Sequence, residues 1–264
     1  FDVLIGADGY RSLVHSHLSA SPQLDYAGYV AWRGMYPEAR LEQRALLDRS
    51  DTDCAWFLVC FAGGHAIVYM VPGFDGRTDP GYRRVNWLVY TPPPPGMDFT
   101  SPTSLPPGAV SSELYRLLDA LLTSAFPADV QAVIRASPVD EVSLQPIYDR
   151  QMDAYVNDHL LVAGDAGAAS RPHTGSGATK ALQDALCLED LGRVHHTWGD
   201  LLAAYDSERR TAGNALVALS RRIGRDQVEH TPQWTTLTPG DCAAGIRATL
   251  SGEQHYFFTN INTG

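Results

Sequence analysis

The residue types best suited to chemistry gather in residues 160–185, LLVAGDAGAASRPHTGSGATKALQDA. A carboxylate, Asp165, follows Gly164 directly after a short apolar run. Small residues and chain breakers then fill the segment up to Gly175, Ser176 and Gly177. Ligands of open α/β sheets sit beyond the carboxyl ends of the strands. A helix N-terminus at that place offers unpaired N–H groups and positive dipole charge to an electron-rich group. His173 in the same loop is an acid–base candidate, with a structural loop hydrogen bond as the equal alternative. A smaller version of the layout opens the chain. There the turn GADG at 6–9 carries Asp8 and Gly9 and precedes a helical start at Arg11. An Asp-Gly pair alone reads as a turn, but between a strand and a helix a ligand-facing role has about equal weight.

The elements that must position these residues follow from pattern. Leu160, Leu161, Val162 and Ala163 suit a buried strand. Ala181, Leu182, Ala185 and Leu188 recur at helical spacing, predicting a helix from Ala178 that continues through Leu191. Val3, Leu4 and Ile5 predict a second buried strand. Between these stretches, aromatic and β-branched runs at 29–32, 55–60, 66–71 and 85–90 predict a mostly antiparallel sheet, with one helix near residues 38–47. The stretch 92–107 is proline-rich and predicts an extended loop. Helices are expected at 111–126 and 128–136, a strand at 142–148, and a long helix at 198–225 stopped by Gly224. Residues 231–264 are weakly patterned. Three of the five tryptophans fall in the sheet region, where core packing accounts for each singly and a floor for a flat aromatic ligand accounts for the set.

Bulk properties bound the function. The chain has 264 residues, 44% hydrophobic and 19% charged, as in an ordinary globular protein. A net charge of −10 argues against nucleic acid or an anionic membrane as the main partner. No apolar run reaches the roughly 20 residues of a membrane span, and no signal peptide is visible, so a cytoplasmic location is the default expectation. Cys54, Cys60, Cys187 and Cys242 lack CxxC spacing and are expected to be buried free thiols. The chain starts with Phe rather than Met and enters a strand pattern at once. The expectation is therefore that a preceding part of the fold lies outside it.

Two motifs coincide in order and context. GADGYRSLV at 6–14 resembles the Asp-Gly signature of the FAD-dependent aromatic hydroxylases, the single-component flavoprotein monooxygenases. GDAGAASRPHTGSGATKALQDA at 164–185 resembles their Gly-Asp signature, GDAAHxxxPxxGxGxxxAxxDA. Gly164, Asp165, Ala166, Pro172, Gly175, Gly177, Ala181, Asp184 and Ala185 match it, while Gly167 and Ala168 stand where Ala-His is usual. RPHT at 171–174, YAGYVAWRG at 26–34 and QPIYD at 145–149 are similar to the narrower dihydroxypyridine-type branch. The resemblance covers about residues 1–225. The family's strand–GxGxxG–helix for the FAD pyrophosphate is not found; Gly175-x-Gly177 belongs to the second signature.

The resemblance implies an α/β (α+β) fold. It combines an incomplete Rossmann-like FAD-binding domain (1–22 and 149–226) with an inserted, mainly antiparallel substrate domain (23–148) and a tail at 227–264. It also implies FAD as cofactor, NADH or NADPH as transient reductant, and hydroxylation of a small hydroxylated aromatic or N-heteroaromatic ring with O2. A homodimer is what the family suggests. Asp165 would accept hydrogen bonds from the ribityl chain, and Pro172 would pack beside the flavin ring. Gly164 opens this signature, and the stretch Gly175, Ser176 and Gly177 would bring backbone to the N1–C2 edge. Asp8, Gly9 and Arg11 would support flavin and nicotinamide. Trp32, Arg33, Gln145 and Tyr148 are candidates for the substrate pocket, with core or sheet-edge packing as the alternative for each. The cofactor supplies the chemistry, so no catalytic triad or metal site is expected. Two other readings stay open: a related flavin oxidoreductase without oxygen insertion, and a non-catalytic remnant or binding protein of the family.

Overall fold

The computed structural model describes residues 2–18, 24–42, 56–99 and 104–250. In chain order its main elements are β1 (Leu4–Gly6), α1 (Leu13–Leu18), β2 (Asp25–Pro37), β3 (Trp56–Phe61), β4 (Gly64–Val71), β5 (Arg84–Thr91), α2 (Ser112–Ala125) and α3 (Ala128–Arg135). These are followed by β6 (Ser143–Asp149), β7 (Val156–Asn157), β8 (Leu160–Val162), α4 (Gly177–Val194), α5 (Trp198–Gly224) and α6 (Pro239–Leu250). The chain divides into two compact units. One comprises Gly28–Ile147 and Asp226–Thr236, and the other Phe1–Ala27, Tyr148–Arg225 and Leu237–Gly264.

The first unit is built on a five-stranded sheet in the order β3-β4-β5-β2-β6. The pairings of β3 with β4, β4 with β5 and β5 with β2 are all antiparallel. Successive side chains on a strand point to opposite faces, and the register Trp32↔Val89, Gly34↔Trp87 and Tyr36↔Val85 sorts them. That face is covered. Trp87 is fully buried and its indole donates to Ser137 Oγ at 2.8 Å, while Tyr36 Oη donates to the Val133 carbonyl of α3 at 2.7 Å. The opposite face is half open along Arg33, Met35, Ile67, Tyr69 and Leu88. Helix α2 begins where Ser111 Oγ accepts the Leu114 N–H, an N-cap of the usual kind. Residues 227–236 join this unit, with Trp234 Nε1 donating to the Phe61 carbonyl at 3.1 Å and Gly63 N to Thr231 Oγ1 at 2.9 Å.

The second unit holds the three-stranded sheet β1-β8-β7. Strand β1 runs parallel to β8 with Leu4↔Leu160, Ile5↔Leu161 and Gly6↔Val162, and Ala163 N continues the ladder to the Gly6 carbonyl at 2.9 Å. Both strands therefore end at the same level, and their following loops leave from the same end of the sheet. Leu161 and Val162 pack with Tyr155, Leu201, Leu202, Tyr205 and Val217 in the core of this unit. Burying each such large apolar side chain contributes about 1.5–3 kcal/mol.

Four expectations need correction. β1 is not buried here: Leu4 and Ile5 are 51% and 52% exposed, β1 lying at the edge of the sheet that the described residues form. Of the helix expected near 38–47, only a single 3-10 turn at Glu38–Arg40 appears among the described residues, and positions 43–47 lie outside them. Helix α5 ends at Gly224 as expected, but not at a chain break: the backbone stays helical at Arg225 (φ −59°, ψ −49°) and passes into a π-helical turn at Arg225–Glu229. The tail is not featureless, because Thr238 accepts the Asp241 N–H at the start of α6. Of the cysteines expected to be buried, Cys187 is, whereas Cys60 and Cys242 are only partly buried, and Cys54 lies outside the described residues.

Candidate functional site

The Asp-Gly turn after β1 is set by its own side chains. Asp8 Oδ2 accepts the Leu13 N–H at 2.8 Å, and Ser12 Oγ caps α1 by accepting the His15 N–H at 2.9 Å. The Ser12 hydroxyl and then the Leu13 N–H hold the Asp8 carboxyl below its ordinary value. Gly9 has φ +78° with open space where a Cβ would stand. Arg11 is exposed, its guanidinium 5.4 Å from the Tyr10 ring centroid.

The loop after β8 is fixed from beneath by two buried carboxylates. Asp184 on α4 accepts the Gly164 N–H at 2.7 Å, Lys180 Nζ at 2.8 Å and Arg209 Nε at 2.7 Å. Lys180 Nζ also donates to the Gly164 carbonyl at 2.8 Å, so both backbone groups of Gly164 are held. Gly164 needs to be glycine: its φ is +59°, and a Cβ would lie 3.3 Å from the Ala181 methyl. Asp149, fully buried, accepts Arg171 Nε at 2.7 Å and Arg221 Nε at 2.8 Å, anchoring the residue before Pro172 to α5.

A third anchor is Arg150, 4% exposed. Its Nη2 donates to the carbonyls of Asp165, Ala166 and Gly167 at 2.9, 3.1 and 3.2 Å, and its Nη1 to the Tyr10 carbonyl at 3.2 Å. One guanidinium thus ties both motif loops together. Burial pulls its pKa below the ordinary arginine value while Asp165 opposes the shift. His15 packs nearby, and burial together with the Arg150 charge lowers it to about 4.

Above these anchors the loop presents its functional groups. The Asp165 side chain is exposed and accepts no hydrogen bond from the described residues. Pro172 is exposed and starts the short turn Pro172–Thr174, in which His173 is half-buried. Gly175 follows in the left-handed conformation (φ 62°). Ser176 precedes α4 without capping it by its side chain, its hydroxyl donating instead to the Thr174 carbonyl at 3.0 Å. The first-turn N–H groups of α4 therefore have no side-chain cap, and Gly177 would place a Cβ only 3.8 Å from Asp165 Oδ1. A free carboxylate beside an uncapped helix N-terminus suits a ligand that offers hydroxyls and an electron-rich edge. The residues present fit a ribityl chain and a flavin ring edge.

Asp8, Gly9, Arg11, Gly164, Asp165, Pro172, His173, Gly175, Ser176 and Gly177 all fall in the second unit, in the two loops leaving one end of its sheet. Tyr148 is in that unit too, its ring 5.4 Å from that of Tyr26. Trp32, Arg33 and Gln145 belong to the first unit. Trp32 and Arg33 are neighbours on β2 and face opposite ways. Trp32 is 2% exposed on the covered face, donating to Thr91 Oγ1 at 3.2 Å. Arg33 lies on the half-open face, its Nε 3.4 Å from Asn86 Oδ1. Gln145 is half-buried. Sequence reasoning missed Arg150 and the cations Lys180 and Arg209. The signal available was the Lys180/Asp184 spacing of four on one helix face.

Two family descriptions match the chain: "FAD binding domain-like" over residues 26–144 and "FAD binding domain" over residues 116–220. The chain is similar to 2,6-dihydroxypyridine 3-monooxygenase of Paenarthrobacter nicotinovorans, 27% identical over 224 residues, 81% of this chain and 54% of that protein. Together these matches support the FAD-dependent aromatic hydroxylase family. It is also similar to 6-hydroxynicotinate 3-monooxygenase of Bordetella bronchiseptica, 29% identical over 88% of this chain and 55% of that one. The solved structure of 2,6-dihydroxypyridine-3-hydroxylase from Arthrobacter nicotinovorans superposes with a TM-score of 0.74 at 25% identity, covering 90% of this chain and 60% of that one. The fold, mixed α/β with an antiparallel sheet, is that of the family's solved structures. The chain spans about half the length of the curated relatives it matches.

Within the family signature, the departure at 167–168 has a local cause. A Cβ on residue 167 would lie 2.7 Å from the Tyr155 ring, and the Tyr155 hydroxyl accepts the Ala168 N–H at 3.0 Å. Tyr155 fills the space that an alanine at 167 would need.

Proposed function

We propose that this chain carries the flavin-ring side of the FAD site of an aromatic-ring monooxygenase. The substrate would be a small hydroxylated aromatic or N-heteroaromatic compound, with NADH or NADPH as reductant and O2 as co-substrate. The observation that carries the reading is the exposed, unclaimed Asp165 carboxylate set beside the uncapped N-terminus of α4 by three buried anchors. FAD, when bound, supplies electron transfer from the nicotinamide and activation of O2. The chain's own residues would do the rest. Asp165 would accept ribityl hydroxyls, and the first-turn N–H groups of α4 would stabilise charge on the ring edge. Pro172 would flank the ring, and Asp8, Gly9 and Arg11 would line the second loop. His173, in the loop after β8, is the acid–base candidate.

Arg33 on the half-open sheet face, Gln145 and Tyr148 are the substrate-side candidates. Trp32 would act from within the core by supporting β2. The names of the relatives, hydroxylases of pyridine-type and salicylate-type rings, support the substrate class. We further propose a homodimer on the family resemblance, and a cytoplasmic location as the default for a sequence with no visible signal peptide. No described helix is long and apolar enough to cross a membrane.

The deciding experiment is a visible absorbance spectrum of the 264-residue chain after incubation with FAD and gel filtration. Co-eluting flavin supports the reading, and a colourless protein overturns it for this chain. With FAD bound, NAD(P)H consumption coupled to a hydroxylated product separates the monooxygenase from a flavin oxidoreductase that inserts no oxygen.

A further inference from the structure

We infer that Arg150 is the positioning residue of the cofactor site, holding the two motif loops as one prepared surface before any cofactor arrives. The inference rests on the FAD reading above and concerns a residue outside both motifs.

Three successive carbonyls, those of Asp165, Ala166 and Gly167, converge on Arg150 Nη2 at 2.9–3.2 Å. Parallel carbonyl dipoles that converge on one point repel one another unless a donor occupies it. The guanidinium fork occupies it and reaches the Tyr10 carbonyl of the other loop as well, at 3.2 Å. The backbone of Arg150 adds a two-way bridge to Ala169, with N–O distances of 2.8 and 3.0 Å. Because the 165–167 carbonyls turn inward to the cation, the Asp165 side chain is left outside, where it is exposed.

Burying a cation costs several kcal/mol unless acceptors surround it. Arg150 has no carboxylate partner within salt-bridge distance among the described residues. Its full set of acceptors is loop carbonyls. A lysine would carry the charge but lacks the planar fork that spans two loops at once.

Two measurements on the full chain test the inference. First, Arg150→Gln is expected to weaken FAD binding at least tenfold. Arg150→Lys is expected to fall between it and the parent. In both variants the visible circular dichroism of the flavin bound at saturating FAD should differ from the parent's, a signature that lowered stability alone would not change. Parent-like affinity and flavin dichroism in both variants would overturn the inference. If Arg150→Gln does not fold, Arg150→Lys alone carries this comparison. Second, amide hydrogen exchange of the cofactor-free chain should show residues 164–169 protected in the parent and at least tenfold faster in Arg150→Lys. Peptide-like exchange of these amides in the parent would overturn preorganisation. A parent chain that takes up no FAD overturns the FAD reading alone, and the exchange measurement then decides the present inference by itself.

Discussion

The Gly164 N–H donates to Asp184 Oδ2 at 2.7 Å across twenty residues of chain, joining the first residue of the motif loop to the helix that follows it. The same carboxylate neutralises Lys180 and Arg209, both nearly buried. Removing the charge while keeping the shape, as in Asp184→Asn, leaves buried Lys180 without a counter-ion and Arg209 with only the more distant Glu208 at 4.0 Å. The expected cost is about 3–5 kcal/mol, read as a lower denaturant midpoint at unchanged m-value. A midpoint equal to the parent's would show that the network does not support the fold.

Gly167→Ala restores the family's usual residue and should nevertheless destabilise this chain. The new methyl would meet the Tyr155 ring at 2.7 Å, inside any real contact distance. Overpacking of this kind costs about 1–3 kcal/mol. In a Tyr155→Leu background the same substitution should cost less, and the difference in a double-mutant cycle measures the clash. Purely additive effects would place the cause elsewhere.

Asp165→Ala should leave stability within about 0.5 kcal/mol, as for a surface position away from packing and capping. FAD retention should nonetheless fall. The measurement is the FAD dissociation constant beside a thermal melt of the cofactor-free chain. Unchanged retention removes Asp165 from its assigned role, and a large loss of stability would make it a structural residue instead.

Acid should destabilise the chain before its carboxylates titrate. His15 and His65 are each lowered to about 4 chiefly by burial, against an ordinary value of 6.5. Between those values the unfolded chain binds protons that the folded chain refuses, so stability rises with pH across that window and is lost as pH falls through it. His15→Gln should reduce the slope of stability against pH between about 4 and 6.5 by up to one proton. An unaltered slope would mean that His15 is already protonated in the fold.

Much of this was readable from residues alone, and the unread parts share a cause. The loop–helix boundary at Gly177 and the strands at 85–90 and 66–71 follow local periodicity, which is written in consecutive residues. The exposure of Leu4 and Ile5 was not readable, because an apolar strand reads as buried whether or not the sheet supplies a neighbour. Arg150 was invisible for a different reason: its acceptors are backbone carbonyls, which every residue has and no sequence marks. The opposite facing of Trp32 and Arg33 follows from strand period two. Which side is covered depends on α3, whose Val133 carbonyl meets Tyr36 from nearly a hundred residues away.

Helix α5 sets the register of the second unit. Tyr205 donates to the Val162 carbonyl, Asp206 accepts the Tyr155 N–H, Arg209 meets Asp184, Asn214 bonds Met152, Ser220 accepts the Arg171 N–H and Arg221 meets Asp149. These partners come from four stretches of chain, 149–155, 162, 171 and 184, so this one rod works as a gauge block against which the others are aligned. Its tolerance is angular. Deleting one residue between 206 and 220 would turn everything beyond the cut by about 100°. Ser220 and Arg221 would face away from the loop while Tyr205 stayed in place. Point substitutions along α5 can be absorbed one contact at a time, whereas a change in its length cannot.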